Sequence, residues 1–477
     1  MSPQMNLGHI LPELLVLVLA CSIVLLDAVW RRREAAASLA YPAAFGLLAP
    51  ALALVPLIGR NETSYFGTFV VDPIALFFKL LFLLAAGMTF LLSVGYVRRH
   101  GLDAGEYYAT ILFATFGFMF MASARDLITA YIALEMASIS LYILVGFHKT
   151  DLRSSEAGLK YLLLGALSSA ALLYGMVLLY GATGTTLLPD IGARLTGGGV
   201  LAIVAIALVT AGLGFKIAAV PFHMWVPDVY EGAPTPTTAF LSVASKTAGF
   251  ALALRVFGQG LLPLEELWAP LMGVLAALTM TIGNVGALRQ SNVKRLLGYS
   301  SIGQAGYVMM ALAAPSAEAL SGMLYFLLAY VLTNLGAFAG IVAIGNQIGS
   351  DEIADYRGLA RRNGGLAFFT TLCFLSLVGM PPMAGFVSKF YLFLTVFQRG
   401  LVWLVIVAVL NTAIAAYYYV KVIRAMYFAE PVADTPIGGG GAARVALWAA
   451  TLATIAVGLA AWPFIQIAEV AGQAFFR

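Results

Sequence analysis

The chain has 477 residues, of which 61% are hydrophobic and only 10% are charged. This composition excludes an ordinary soluble protein, which needs a far more charged surface, and it is typical of polytopic membrane proteins. The net charge of +4 says little about partners. Cys21 and Cys373 lie far apart in apolar runs, so neither a disulfide framework nor a metal cluster is expected.

Apolar runs of membrane-spanning length dominate the chain from near its start. Residues 1–6 lack the basic start and cleavage site of a secretory signal, so the first run is predicted to be a retained span. Taking ~20 residues for each crossing, we predict an all-α membrane protein of about fourteen spans. They lie near 10–29, 38–58, 73–96, 107–123, 126–147, 157–180, 199–229, 236–258, 266–288, 297–314, 318–345, 365–397, 401–428 and 443–470.

Two of these runs, the seventh and the twelfth, are too long and contain helix-breaking residues. The breaking residues are Pro221 and Pro227 in one run and Gly379, Pro381, Pro382 and Gly385 in the other. Such residues predict broken helices, whose freed backbone groups need protein or water partners. Broken helices in corresponding positions are typical of inverted repeats. We therefore predict a single membrane domain, 1–477, in which 1–100 form three helices, 107–258 and 266–428 form two inverted five-helix repeats (spans 4–8 and 9–13), and 443–470 form a last helix.

The distribution of basic residues predicts an orientation with both termini outside, on the periplasmic side of a bacterial inner membrane. Fourteen basic residues then lie in inside segments and six in outside segments, as the positive-inside rule requires. The inside residues are Arg31, Arg32, Arg33, Arg98, Arg99, Lys149, Arg153, Arg289, Lys294, Arg295, Arg357, Arg361, Arg362 and Arg444. The outside residues are Arg60, Arg125, Arg194, Arg255, Arg399 and Arg477.

Lysines are distributed differently from arginines. Of the eight lysines, we place five inside spans, namely Lys160, Lys216, Lys246, Lys389 and Lys421. Each lysine at a helix centre costs about 2.5–3.5 kcal/mol on insertion scales. Lysine can release its proton when it is desolvated, whereas arginine effectively cannot. Charged residues kept inside a membrane usually mark an ion or proton path, and this pattern indicates one.

Glu135 and Lys216 are the first candidates for such a path. Glu135 lies about nine residues into its helix, ~13 Å deep at 1.5 Å per residue, and a buried carboxylate there is expected to pair with a lysine. The alternative is a neutral glutamic acid that bonds a neighbouring helix. Lys216 stands shortly before the first break, where water and free carbonyls can reach it, and His223 follows it as a candidate relay or as an ordinary structural histidine.

The remaining lysines divide into two groups. Lys246 is flanked by Ser242, Ser245 and Thr247, whose hydroxyls can solvate an amine, and Lys389 follows the second break. Lys160 and Lys421 are possible path residues. Each can instead extend to the membrane interface, as long cationic side chains do near helix ends.

Several of these segments carry family motifs. They are 124–136, which includes Asp126 and Glu135, the long stretch 215–236 through Pro221-Phe222-His223-Met224-Trp225-Val226-Pro227-Asp228, Ser245-Lys246, 292–307, Thr333-Asn334 and 381–390. Together they resemble the antiporter-like proton-pumping membrane subunits of respiratory complex I, NADH:quinone oxidoreductase. Within that family, Gln304, Lys389 and the chain length favour the N type over the L and M types.

The resemblance implies a function and roles for the matching residues. Glu135 and Lys216 would form a coupling pair, Lys246 would be the central loading lysine, Lys389 would end a half-channel toward the outside, and His223 would lie between Lys216 and Lys246. The chain would be one membrane subunit of a hetero-oligomer in the lipid bilayer, with no nucleic acid bound. No cofactor or metal is expected in this chain itself, since NADH, FMN, Fe–S clusters and quinone would belong to partner subunits.

Two other functions remain open at this point. A subunit of a multisubunit Na⁺/H⁺ antiporter of the Mrp type shares most of the motifs and would exchange sodium without NADH. A membrane scaffold would tolerate substitution of the intramembrane lysines, so it accords poorly with five of them.

Overall fold

The computed structural model describes residues 5–29, 37–195, 199–431, 436–438 and 441–476. These residues are mostly helical, and eleven of their helical segments are long and apolar enough to cross a membrane. The segments are Leu11–Val29, Ala37–Leu57, Pro73–His100, Leu127–Val145, Leu152–Thr183, Val200–Ile217, Thr235–Gly260, Leu262–Ala287, Ala317–Ile348, Val402–Phe428 and Gly441–Leu459. The protein is therefore a polytopic helical membrane protein, as its composition predicts.

Within the first hundred residues, the described part of the chain forms helices and one small β-hairpin. The helices are α1 (Leu11–Val29), α2 (Ala40–Gly46), α3 (Leu48–Leu54) and α4 (Pro73–His100). The antiparallel strands β1 (Glu62–Ser64) and β2 (Phe69–Val71) precede α4, a short hairpin that the sequence did not predict within an otherwise helical chain. Left-handed backbone at Tyr65, Phe66 and Gly67 makes the tight turn between the strands. Strands of three residues are too short to leave a readable alternation in the sequence.

In the middle of the chain, the residues that the structure describes form eight helices. They are α5 (Ala104–Ser123), α6 (Leu127–Val145), α7 (Leu152–Thr183), α8 (Leu188–Arg194), α9 (Val200–Ile217), α10 (Trp225–Gly232), α11 (Thr235–Phe240) and α12 (Lys246–Arg255). Turns of π-helix, Leu241–Ser245 and Val256–Gly260, flank α12. Asp126 caps the start of α6 by accepting a hydrogen bond from the Thr129 amide at 2.7 Å, which explains why this helix begins at Leu127.

The second half of the chain contains nine helices among the described residues. They are α13 (Glu265–Ala287), α14 (Val293–Ala313), α15 (Ala317–Ile348), α16 (Leu359–Arg362), α17 (Gly364–Val378), α18 (Ala384–Gln398), α19 (Val402–Phe428), α20 (Gly441–Leu459) and α21 (Ala461–Phe475). The predicted single helix over 443–470 is wrong, because the chain breaks at Ala460 between α20 and α21. Pro463, which lacks an N–H, stands in the first turn of α21, where proline is tolerated.

Both predicted helix breaks are present. The first separates α9 from α10, and Ala218 begins it with a left-handed backbone of φ +63°. The second separates α17 from α18, and Gly379 begins it with φ +96°. In both breaks prolines follow within three residues and prevent the helix from continuing. Each break leaves carbonyl groups at the end of a helix without intrahelical partners.

The loops of the bundle gather at two ends. At the end that we call the hairpin end, β2 pairs with the α5–α6 loop through Phe69 and Ala124. The Tyr65 hydroxyl bonds the Asn6 carbonyl there, and Phe475 lies over Arg255 at the same end. The first and last described helices therefore begin and finish at the hairpin end.

The opposite end, which we call the basic end, joins other loops. Asn292 pairs with Glu352, and the amide of Gly358 donates to the carbonyl of Ala425 at 3.0 Å. A cavity of about 410 Å³ opens there and is lined by residues that include Glu231, Lys294 and Asp351. Arg31, Arg32 and Arg33, which enter the orientation argument, lie outside the described residues, as does Arg477.

Candidate functional site

Lys216 occupies the last turn of α9, immediately before the first break. Its side chain is buried, and its Nζ donates a hydrogen bond to Ser138 Oγ on α6 at 3.0 Å. The Phe118 ring lies 5.9 Å from the same nitrogen. Lys216 therefore faces one neutral oxygen and an aromatic ring rather than a carboxylate.

Glu135 lies one turn before Ser138 on α6 and is half-buried. Its carboxylate accepts a short hydrogen bond from Ser169 Oγ on α7. No direct ion pair forms, since among the described residues Glu135 has no cation within 4.0 Å and Lys216 bonds Ser138 instead. The coupling of Glu135 to Lys216 stays a prediction. Glu135 remains near Lys216, because Ser138, which binds the amine, lies one helix turn away from Glu135.

His223 lies inside the first break and is buried. Its Nδ1 has no hydrogen-bond partner among the described residues. No direct bond joins His223 to Lys216 or Lys246 in the described residues, so its place between the two lysines stays a prediction.

Lys246 begins α12, directly after a π-helical turn, and is buried. Its Nζ donates to the main-chain carbonyl of Ser301 on α14 at 2.6 Å. The neighbouring Ser242, Ser245 and Thr247, which the sequence suggested as its solvating hydroxyls, do not bond this amine. The sequence could not identify the true acceptor, because a backbone carbonyl is present at every position.

A buried polar network continues from Ser301. Its hydroxyl lies 2.8 Å from the Tyr330 hydroxyl and 3.2 Å from the Tyr230 hydroxyl. Tyr330 in turn donates to the Ser242 carbonyl, and Asn334 Nδ2 donates to Ser242 Oγ at 2.7 Å. A hydroxyl group both donates and accepts hydrogen bonds, and its hydrogen can rotate between partners. This network can therefore pass a proton along.

Lys389 lies on α18, one helix turn past the second break. Its Nζ donates to the carbonyls of Leu377 and Val378, at 2.8 and 3.0 Å. Those carbonyls end α17, where partners are missing and the helix dipole is negative. The Tyr307 ring lies 5.0 Å from the amine. The second break thus makes a site for a cation out of main-chain oxygens.

Gln304 contacts the Lys389 site and was noted in the sequence only as a family marker. Its Nε2 donates to the Leu377 carbonyl at 3.2 Å, the same oxygen that Lys389 binds. Ser301, Gln304 and Tyr307 lie three residues apart and so share one side of α14. That side of α14 contacts Lys246 near one end and Lys389 near the other.

The two lysines that were only possible path residues lie elsewhere. Lys160 is 43% exposed and pairs with Glu156 at 2.7 Å and Asp228 at 2.9 Å, so it belongs to an ion-pair network at the basic end. Lys421 is half-buried and donates to the Gln290 carbonyl at 2.9 Å, near the end of α19. Neither contacts the buried lysines described above.

Two buried ion pairs escaped the sequence analysis. Lys79 on α4 pairs with Glu13 on α1 at 2.7 Å, and both side chains are fully buried, so Lys79 is a sixth lysine inside a span. Arg255 was expected in an outside polar segment, but it is fully buried and binds Asp72 through two bonds of 2.6 and 2.7 Å. The signal for the first pair was the presence of Glu13 and Lys79 inside apolar runs.

The buried lysines therefore fall into two kinds. Lys79 and Lys294 have a carboxylate within 4.0 Å, whereas Lys216, Lys246 and Lys389 bond only neutral oxygens in the part of the chain that the structure describes. Within the same residues, no group of three His, Cys, Asp or Glu side chains is arranged to hold a metal. The candidate site is thus a line of three buried amines without fixed counter-ions.

Broken helices, a bundle of apolar spans and buried amines without counter-ions together define a helical membrane protein with an ion-transport core. A family model described as "NADH:quinone oxidoreductase/Mrp antiporter, TM" matches residues 124–415, which include every residue of the lysine line. The chain belongs to this NADH:quinone oxidoreductase/Mrp antiporter family.

Relatives agree with this assignment over almost the full length. NADH-quinone oxidoreductase subunit N of Heliobacterium modesticaldum is 43% identical over 474 residues, 99% of this chain and 100% of that protein. A chain of respiratory complex I from Thermus thermophilus with bound aureothin is 34% identical, with a TM-score of 0.81 over 96% of this chain and 99% of that one. A chain of the Mrp complex from a Dietzia species has a TM-score of 0.86 but 22% identity, over 99% and 98% of the two chains, and so shares the fold.

Proposed function

We propose that this chain is the N-type proton-translocating membrane subunit of an NADH:quinone oxidoreductase. Electron transfer would occur in partner subunits, which would hold NADH, FMN, Fe–S clusters and quinone. This chain would convert the resulting charge displacement into proton movement across the membrane. The 43% identity to a relative of that name, over nearly the whole of both chains, supports the N type over other members of the family.

The observation that carries the proposal is the bonding of Lys216, Lys246 and Lys389. Each bonds only neutral oxygens, so no fixed negative charge holds its proton in place. A lysine in an apolar interior is stable as a neutral amine when it lacks a counter-ion and becomes charged when a nearby negative charge or water stabilises it. Lys79, with Glu13 against it, lacks this freedom and serves as a built-in contrast.

A proton path follows from these positions. The cavity of about 410 Å³ at the basic end, with Glu231 in its wall, admits protons from the inside, and the neighbouring Tyr230 hydroxyl lies 3.2 Å from Ser301 Oγ. Lys246 binds the carbonyl of the same serine. Beyond Ser301, the same side of α14 leads toward Lys389, which Gln304 helps to position. A negative charge on Glu135 would favour a proton on Lys216. Loss of the charge on Glu135 would favour release of that proton toward the next lysine, because adjacent buried charges shift one another's proton affinity.

The same proposal includes the architecture. We propose fourteen spans, in which α5 and α14 cross the membrane besides the eleven segments above, and α17 with α18 makes one broken crossing. Residues 107–258 and 266–428 would be inverted repeats, each with one broken helix. The basic end would face the inside, which places both termini outside. The clustering of Arg99, Arg153, Lys294 and Arg295 around two adjoining cavities at that end supports this orientation.

The test is proton transport in inverted membrane vesicles that contain the assembled complex. NADH should drive proton uptake without added sodium. Lys246→Ala should abolish most of the proton uptake that depends on this subunit. Lys149→Ala is the matched control, because Lys149 is exposed and takes no part in the path. Sodium-dependent proton exchange without NADH, from a complex that lacks NADH dehydrogenase subunits, would instead establish an Mrp-type antiporter, whose fold this chain shares.

A further inference from the structure

A second cavity at the basic end is independent of the lysine line. It measures about 460 Å³ and lies between the short 3-10 turn Ile353–Tyr356, the residues that follow this turn, and the last turns of α19. Three cations line it, namely Arg357, Lys421 and Arg424, and no acidic residue does. The cavity, which is open to the surface, therefore gathers three positive charges in one place.

The three cations are available for an anion. Lys421 donates one hydrogen bond to the Gln290 carbonyl, and Arg357 donates one from its Nε to the Ala354 carbonyl. None of the three has a carboxylate within 4.0 Å among the described residues. The nearby acidic residues do not line the cavity. Asp355 accepts a hydrogen bond from Ser350, Glu352 accepts one from Asn292, and Glu430 is exposed.

The walls of this cavity are held in place by the fold. The Gly358 amide bonds the Ala425 carbonyl at 3.0 Å, which ties the segment carrying Arg357 to α19. The Ile353 amide bonds the Ser291 carbonyl at 2.8 Å on the other side. The cations therefore converge from two elements that are fixed to each other, unlike independent side chains on an open surface.

An apolar track leads to the same cavity along the outside of α19. Exposed Ile406, Leu410, Tyr417 and Val420 recur at helical spacing, and Arg424 and then Phe428, 82% exposed, continue the row. A helix of 27 residues is ~40 Å long, which exceeds the ~30 Å hydrocarbon core and carries its last turns into the headgroup layer. Acyl chains can thus lie on the track while the headgroup reaches the cations.

We propose that this cavity binds the phosphate headgroup of an anionic membrane phospholipid, with its acyl chains on the apolar face of α19. Basic pockets between membrane helices on the inner side are suited to such headgroups. Guanidinium groups offer paired donors to phosphate oxygens, and two of the three cations are arginines. This assigns Lys421 to lipid binding rather than to the proton path.

The experiment uses the assembled complex in vesicles of phosphatidylethanolamine and phosphatidylglycerol that contain a photoreactive phosphatidylglycerol. Cross-links are mapped to peptides from the end of α19 and competed with unlabelled lipids or inorganic phosphate. We expect phosphatidylglycerol to compete, and phosphatidylethanolamine and phosphate to fail. Removal of each charge should weaken competition by unlabelled phosphatidylglycerol about fivefold. The triple change R357A/K421A/R424A should weaken it about 100-fold.

Arg361→Ala is the matched control, because Arg361 is an exposed arginine of the same end that does not line the cavity. If the triple variant fails to assemble, Arg424→Gln alone should still weaken competition about fivefold. Unchanged labelling in either variant overturns the proposal. The proposal is also overturned if inorganic phosphate competes as well as phosphatidylglycerol does. It is overturned as well if the variant keeps its labelling but loses a neighbouring membrane subunit, which would make this a protein contact surface.

Discussion

The Nζ atom of Lys389 lies 2.8 Å from the carbonyl oxygen of Leu377, an oxygen that Gln304 also binds at 3.2 Å. A broken helix thus supplies the acceptor for a buried cation, and the amide of Gln304 shares it. We therefore propose that Gln304 positions Lys389 rather than carrying a proton.

This arrangement predicts the effect of Gln304→Leu. Removal of the donor leaves the Leu377 carbonyl to Lys389 alone and costs about one neutral hydrogen bond, ~1 kcal/mol. We expect proton pumping to fall about fivefold while NADH oxidation by the uncoupled complex and subunit content stay normal. Gln304→His, which keeps a side-chain N–H donor, should restore most pumping. Equal pumping by the leucine variant and the wild type would exclude this role.

Glu135→Gln tests the carboxylate at the start of the line. Glutamine can still accept the Ser169 hydrogen bond, so we expect the complex to assemble, but Lys216 loses the negative charge nearby. Proton pumping and coupled turnover should therefore fall together. Glu106→Gln, at an exposed site in the first turn of α5, is the control. Normal pumping by an assembled Glu135→Gln complex would remove Glu135 from the path.

The Glu13–Lys79 pair should be structural, in contrast. Glu13→Gln would leave the Lys79 ammonium buried without a counter-ion, and breaking such a pair costs about 3–5 kcal/mol. We expect less subunit in the membrane and a lower melting temperature of the complex. The double variant Glu13→Leu/Lys79→Met, which removes both charges, should recover most of the loss. If the double variant pumps as poorly as Lys246→Ala at full assembly, the pair belongs to the proton path instead.

The sequence predicted the helix breaks because proline and glycine act locally on the backbone. It also located Lys216, Lys246 and Lys389, since a charge inside an apolar run stands out. It could not identify their acceptors, because the carbonyls of Ser301 and Leu377 leave no trace in residue types.

Contacts between distant segments were equally hidden. Glu13 and Lys79 meet only after α1 packs beside α4, and periodicity within either helix does not reveal this. Arg255 was misplaced because the following Phe257-Gly258-Gln259-Gly260 reads as the start of a loop. A π-helical turn instead continues the segment to Gly260 and keeps Arg255 inside, against Asp72.

The proposed orientation predicts opposite results for two reporter fusions. A periplasmic reporter should be active after Arg477 and inactive after Arg33, both of which lie outside the described residues. Described residues near each terminus, Asn6 and Phe475, contact the hairpin end, so the two termini should share one side. An inactive reporter at Arg477 would reverse the orientation and the direction of the proposed proton path.

The last prediction separates titrating lysines from fixed charges, and it compares Lys246→Arg with Lys246→Ala. Arginine keeps its proton at any physiological pH, so it can replace a fixed counter-charge but cannot release and regain a proton. Because Lys246 bonds the Ser301 carbonyl and no carboxylate, we expect arginine to fail nearly as badly as alanine in proton uptake by vesicles. The same result is expected at Lys216, which bonds only Ser138. Lys79→Arg, where a carboxylate is the partner, is the control and should retain more pumping than Lys79→Ala. Subunit content is measured in parallel, so that loss of assembly is not mistaken for loss of pumping. Robust pumping by an assembled Lys246→Arg complex would contradict the titrating-lysine mechanism and make this lysine a structural charge.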